Sequence, residues 1–151
     1  MINLTPSQIE YLRAIYYISL KNRITVTGIA EYLNYSKPSV VRALKTLHEL
    51  KLILYDNDGI TLTDYGRRYA KNIIRRDNVL QRFFTEILKI DPDLAKRDAE
   101  NLKNVVSCYT ISKLENYVDN ILGEEPEKED DYCICNNISI LCDCSQRKKA
   151  N

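Results

Sequence analysis

Residues 27–50, TGIAEYLNYSKPSVVRALKTLHEL, read as two short helices joined by a tight turn. Thr27 is suited to cap the first helix, and Ile29, Ala30 and Leu33 give it one apolar face. Asn34, of a residue type that readily accepts a positive φ, lets that helix stop. Ser36 caps the second helix, and Pro38 sits in its first turn, where no helical N–H bond is lost. On this second helix Val40, Leu44 and Leu47 share one side. At 100° per residue Pro38, Arg42, Lys45 and Glu49 fall opposite, flanked by Ser39 and Thr46. An aliphatic anchor with Ser, Arg and Lys outward fits a DNA major groove. The same residues also suit an ordinary helical hairpin with a solvated face, and this stretch alone leaves both open.

The flanking sequence favours the DNA-binding reading. Residues 1–20 hold a helix capped by Thr5 and Pro6, with Ile9, Leu12, Tyr16 and Ser19 on one stripe. Residues 21–26 are short and β-branched, enough for one turn and a small strand. Beyond the helix pair, 52–55 and 60–62 flank Asp56-Asn57-Asp58-Gly59, a strong hairpin signal. Three helices followed by a hairpin make a winged helix-turn-helix, whose wing ordinarily adds phosphate contacts.

Thr63 caps a long helix from Asp64 to about Lys89, with Tyr69, Ile73, Leu80, Phe84 and Ile87 inward and Arg67, Arg68, Lys71, Arg75 and Arg76 crowding its first half. Asp91-Pro92 starts another helix carrying Leu94, Leu102, Val105 and Val106. Ser107 caps a last one carrying Ile111, Leu114, Val118, Ile121 and Leu122, ended by Gly123. These helices hold more apolar positions than a monomer of this size needs, which points to a homodimer. The fold class is therefore mainly α. A winged helix-turn-helix DNA-binding domain covers 1–63, and a helical linker and dimerisation domain covers 64–122. The acidic linker 123–131 and a flexible Cys-rich tail, 132–151, follow.

Hydrophobic and charged residues make up 44% and 28% of the 151, ordinary for a globular chain. No apolar run approaches the roughly 20 residues of a membrane span, and no signal-peptide pattern opens the chain, so the expectation is a cytoplasmic protein with no membrane partner. Net charge is +1, but its distribution is uneven. Residues 1–76 carry 12 Lys/Arg against 6 Asp/Glu, whereas 77–131 carry 7 against 14. Only the first part is thus suited to meet a polyanion. An enzyme is not expected: there is no nucleophile–base pairing, no Gly-rich phosphate loop, and His48 is the single histidine.

The segments TPSQIEYLRAIYYI, VTGIAEYLNYSKPSVVRALKTL, TLTDYG at the wing's end and IIRRDNVLQRFF resemble, in collinear order over about residues 4–122, the DtxR/MntR family of metal-dependent transcriptional regulators. The resemblance implies a homodimer that binds double-stranded DNA at a palindromic operator, usually as a repressor. It also implies a divalent-metal site, which carries over poorly. The first-helix ligand pair maps to Glu10 and Arg13, and the long-helix histidine to Asp77. The Glu-x-x-Glu-His run maps to Glu100, Lys103 and Asn104. A divalent ion needs neutral or anionic donors. Arg13 and Lys103 are cations, so a salt-bridged cluster is expected in its place.

Family wings tend to carry basic or aromatic tips, whereas this tip is acidic, so recognition falls on Lys37, Ser39, Arg42 and Lys45. Tyr35, Ser36, Lys21, Arg23 and Thr27 are expected to position the DNA backbone. In the tail, Cys133, Cys135, Cys142 and Cys144 form C-x-C-x6-C-x-C. Four thiols match the ligand count of a zinc site or an iron–sulfur cluster, and C-x-C pairs also suit Cu(I). Reversible redox chemistry and an inert tail are the alternatives; stable disulfides are not expected in a cytosolic chain. Cys108 is expected to pack rather than coordinate. The functional expectation is a sequence-specific repressor whose sensing has moved to the tail cysteines, through a metal ion or an iron–sulfur cluster. The alternative is a metal-trafficking or thiol-redox protein that retains the fold.

Overall fold

The computed structural model describes residues 4–103 and 105–124. Its elements run α1 (Pro6–Ser19), α2 (Val26–Leu33), α3 (Lys37–Glu49), β1 (Ile53–Asp56), β2 (Gly59–Leu62), α4 (Asp64–Arg82), a π-helical turn (Phe83–Ile87), α5 (Pro92–Leu102) and α6 (Cys108–Leu122). They form two compact units, one ending at Asn72 and the other beginning at Ile73, so α4 contributes to both.

In the first unit, local chemistry sets the helix ends. Thr5 and Gln8 form a reciprocal capping box at α1. Asn34 stops α2 in the left-handed conformation (φ 55°, ψ 44°), and Ser36 caps α3 by accepting from the Ser39 N–H. The cap of α2 is Thr25 rather than the expected Thr27. Its hydroxyl accepts from the Gly28 N–H at 3.0 Å, which draws Val26 into the helix. The strand expected over 21–26 therefore does not form; the only sheet among the described residues is β1–β2.

The core of this unit is aliphatic, with Leu12, Ile15, Ile29, Val40, Leu44, Leu47, Leu52 and Ile53 fully buried. On α1 the inward face is Tyr11, Leu12, Ala14 and Ile15, rotated from the expected stripe; Ile9, Tyr16 and Ser19 are only half-buried. The antiparallel wing pairs Asp56 with Gly59 around the loop Asn57-Asp58. The Asp56 carboxylate accepts from the Asp58 N–H at 2.9 Å, and Gly59 takes a φ of +127° that side chains rarely adopt. Beyond the wing, a Cβ on Gly66 would stand 1.8 Å from the Leu52 carbonyl oxygen. Only glycine lets α4 approach so closely.

In the second unit, Val79, Leu80, Ala99 and Ile111 form the core, with Phe84, Val106 and Leu114 packed against it. The α-helical part of α4 ends at Arg82, short of the expected Lys89. The Leu88 N–H reaches back five residues to the Phe83 carbonyl at 3.1 Å. The wider turn holds the Phe83 ring 6.5 Å from Tyr117 while Phe84 meets the core. On α5 the inward residues are Ala95 and Ala99, whereas Leu94 and Leu102, and Val105 just beyond the helix, are exposed. Small side chains let α5 pack closely, so the larger ones face outward. Ser107 and Gly123 bound α6 as expected.

Candidate nucleic-acid interface

With Val40, Leu44 and Leu47 seated in the core, the geometry of α3 sends Lys37, Arg42 and Lys45 into solvent. Pro38 accompanies Lys37 in the first turn. Ser39 is half-buried, its Oγ 2.9 Å from that of Ser36, and it accepts from the Arg42 guanidinium at 3.4 Å. The Ser36–Ser39–Arg42 run thus forms one polar edge. It borders an open groove of about 520 Å³ between α1 and α3, lined also by Ser7, Gln8, Tyr11 and Tyr35. Ser7 and Gln8 were not among the sequence candidates; only the crossing of α1 over α3 brings them here.

Tyr35, expected to touch the DNA backbone, donates its hydroxyl to the Glu10 carboxylate at 2.9 Å. Its ring leans on Tyr11 with centroids 5.7 Å apart. The hydrogen bond to Glu10, foremost, raises the Tyr35 phenol above its usual range. This residue therefore also clamps the turn between α2 and α3 onto α1.

Two contacts bear on the wing. The Arg23 guanidinium donates to the Asp58 carbonyl at 3.1 Å, placing a cation at a tip whose side chains are acidic. The Tyr55 N–H donates to His48 Nδ1 at 3.1 Å, which fixes the wing to the end of α3. The single histidine thus has a structural partner. Lys21 and Thr27 are exposed.

The positions where the family pattern asks for metal donors fall into both units. Glu10, in the first, is exposed and holds Tyr35. In the second, Asp77 on α4 is 2% exposed. Lys103, at the end of α5 and 6% exposed, lies with its ammonium 2.5 Å from the Glu100 carboxylate. Asn104 and Cys133, Cys135, Cys142 and Cys144 lie outside the described residues. This donor set does not fit a divalent ion. Two unit charges 4 Å apart interact by about 4 kcal/mol at an effective dielectric near 20, and a divalent ion doubles the repulsion from an ammonium. Among the described residues no three His, Cys, Asp or Glu side chains are grouped to hold a metal.

Around Lys103 the chain is tied to α4 by Arg76. Its Nε donates to the Lys103 carbonyl at 2.8 Å, and its Nη2 donates to the Val106 carbonyl. Its Nη1 reaches Cys108 Sγ at 3.2 Å. Cys108 is half-buried at the first position of α6. Arg75 grips Glu115 through Nε and Nη2, and Arg82 bridges Asp119 at 3.2 Å and Glu124 at 2.7 Å. These pairs join α4 to α6.

A model of the iron dependent repressor metal binding and dimerisation domain matches residues 63–129, and a MarR family model matches residues 2–59. An uncharacterized HTH-type transcriptional regulator of Methanocaldococcus jannaschii is 32% identical over 113 residues, 73% of this chain and 90% of that one. The HTH-type transcriptional regulator MntR of Bacillus subtilis is 27% identical over 128 residues, 83% of this chain and 89% of its own. Among solved structures, the manganese regulator SloR is similar with a TM-score of 0.61 and 29% identity, and the metal-dependent transcriptional regulator MtsR with 0.64 and 28%. Each match covers 81% of this chain and 56% of that one. The chain therefore spans little more than half the length of those two regulators. Fold and matches together define a winged helix-turn-helix transcriptional regulator with a helical dimerisation domain. More narrowly, the chain belongs to the DtxR/MntR family.

Proposed function

We propose that this chain is a cytoplasmic, homodimeric repressor that reads a palindromic operator with α3 and takes its signal at the tail cysteines. The observation that carries the DNA reading is α3 itself: a buried aliphatic face behind outward Lys37, Arg42 and Lys45, with Ser39 at the edge. In this reading Arg42 contacts a base, Lys37 and Lys45 meet phosphates or bases, and Tyr35 and Ser36 set the backbone. Arg23 at the wing tip offsets the acidic side chains there, which weakens the case for a trafficking or redox protein that merely keeps the fold.

Exposed Leu94, Leu102, Val105, Tyr117 and Ile121 on the helical unit support a homodimer. Sedimentation equilibrium checks it, and a monomer at micromolar concentration opposes it. For the DNA reading, fluorescence anisotropy is measured on operator DNA over a salt series. Arg42→Ala is expected to cost about 1–3 kcal/mol and relax one base-pair preference. Lys45→Ala is expected to weaken all sequences alike and reduce the salt slope. Equal losses on every sequence for both variants would remove base reading from α3.

The cysteine assignment rests on four closely spaced thiols in a chain whose family site has lost donors to Arg13 and Lys103. Metal content and absorbance of anaerobically purified protein test it, with and without Cys133, Cys135, Cys142 and Cys144. Metal-free protein with unchanged operator affinity in the variant would sink it.

A further inference from the structure

Lys103 interrupts the family's metal-donor pattern with a cation, and the structure shows how firmly that cation is held. Its N–H donates to the Ala99 carbonyl at 2.9 Å, and its own carbonyl accepts from Arg76 Nε at 2.8 Å. The backbone is thus fixed from both α5 and α4. From that anchor the buried Lys103 side chain brings its ammonium to 2.5 Å from the exposed Glu100 carboxylate, three residues earlier at the C-terminal end of α5. The helix dipole there also favours positive charge. The α4–α5 junction therefore carries a tethered cation, its backbone held by Arg76 and its ammonium paired with Glu100.

We infer that Lys103 is a built-in counter-ion: its ammonium supplies the positive charge at the α4–α5 junction and keeps divalent cations out, so the helical domain holds its shape independently of metal. This deepens the regulator reading, since it makes any hard-metal response a lost property and leaves the signal to another part of the chain. The physical reason is that a covalently attached charge has no dissociation equilibrium. A bound ion stabilises only in proportion to its concentration over its Kd, whereas Lys103 is always present.

The test titrates Mn²⁺ into metal-free, reduced full-length protein and follows free Mn²⁺ by electron paramagnetic resonance and unfolding by thermal melting. Mn²⁺ is the probe because oxygen donors suit it and it stands at the weak-binding end of the divalent series, which limits competition from the tail thiols. The wild type is expected to show no saturable binding and an unmoved Tm. Lys103→Glu is expected to gain one Mn²⁺ per protomer and a Tm that rises by about 5 °C at saturation. Should Lys103→Glu not fold, Lys103→Met decides: its Tm is lowered without metal and partly restored by Mn²⁺. Saturable Mn²⁺ binding by the wild type that is lost in Glu100→Gln overturns the inference. So does a Lys103→Glu or Lys103→Met chain as indifferent to Mn²⁺ as the wild type. Anisotropy on operator DNA, run beside it, separates the two readings. Absence of DNA binding under all conditions defeats the regulator, while the Mn²⁺ data alone decide the role of Lys103.

Discussion

Eight aliphatic side chains with no exposure fill the interior of the winged unit, whereas the helical unit buries Asp77, Lys103, Ser112 and Asp119 and braces α6 with Arg75 and Arg82. Apolar burial is non-directional and indifferent to salt and to charge state. Ion pairs and charge-assisted hydrogen bonds are directional, and removing one partner strands the other. The winged unit is built as a fixed platform for α3. The helical unit is held in part by such directional pairs between α4 and α6.

The largest expected effect breaks the platform at its tightest approach. Gly66→Ala puts a Cβ against the Leu52 carbonyl, and urea unfolding is expected to show a loss of about 4 kcal/mol or more. A variant as stable as the wild type would mean that α4 does not pack so closely. Next, Leu44→Ala is expected to cost about 2–5 kcal/mol, equally at low and high salt. Arg82→Met then probes the other regime. It removes the bridges to Asp119 and Glu124 and leaves the buried Asp119 carboxylate without Arg82, at an expected cost of about 1–3 kcal/mol. That loss should shrink as salt screens the wild-type pairs. A salt-independent loss would place Arg82 with the packing residues instead.

The smallest effect is alkaline and belongs to the winged unit. Burial raises Tyr11 and Tyr65, and the hydrogen bond to Glu10 raises Tyr35, so in each the native chain favours the neutral phenol. The unfolded chain gives up these protons first, near the ordinary tyrosine value of 10.0. Their contribution is therefore fully present below that pH and is lost as pH rises through the higher native values. Tyrosinate absorbance should rise later in native than in urea-unfolded protein. Tyr35→Phe should narrow the gap, and coincident titrations would contradict the Glu10 clamp.

Legibility followed distance along the chain. Thr5, Asn34, Ser36, Asp91, Ser107 and Gly123 act on backbone groups within a few residues, and all were readable as helix ends. The cap of α2 lies at Thr25, not Thr27, because it is the Thr25 hydroxyl that reaches the Gly28 N–H. The inward face of α1 differs from the apolar stripe, and that of α5 is not marked by its large apolar residues, for a different reason. Periodicity marks an apolar stripe, but only the approach of neighbouring helices selects Tyr11 and Ile15 over Ile9, or Ala95 and Ala99 over the larger leucines. In the candidate interface, Lys37, Ser39, Arg42 and Lys45 followed from the period of one helix. Ser7 and Gln8 could not, because they reach the groove only through the crossing of α1 and α3.

By itself the amino-acid sequence determined the element order, the winged helix-turn-helix and the outward cations of α3. Each depends on residue type and on spacing within a turn or a strand. Only the tertiary structure decided that Arg23 crosses 35 residues to the wing tip, that Tyr35 spends its hydroxyl on Glu10, and that Arg76 pins the backbone from which Lys103 reaches Glu100. Those contacts join residues far apart in the chain. Their partners are set by how the helices pack, and no local preference encodes that.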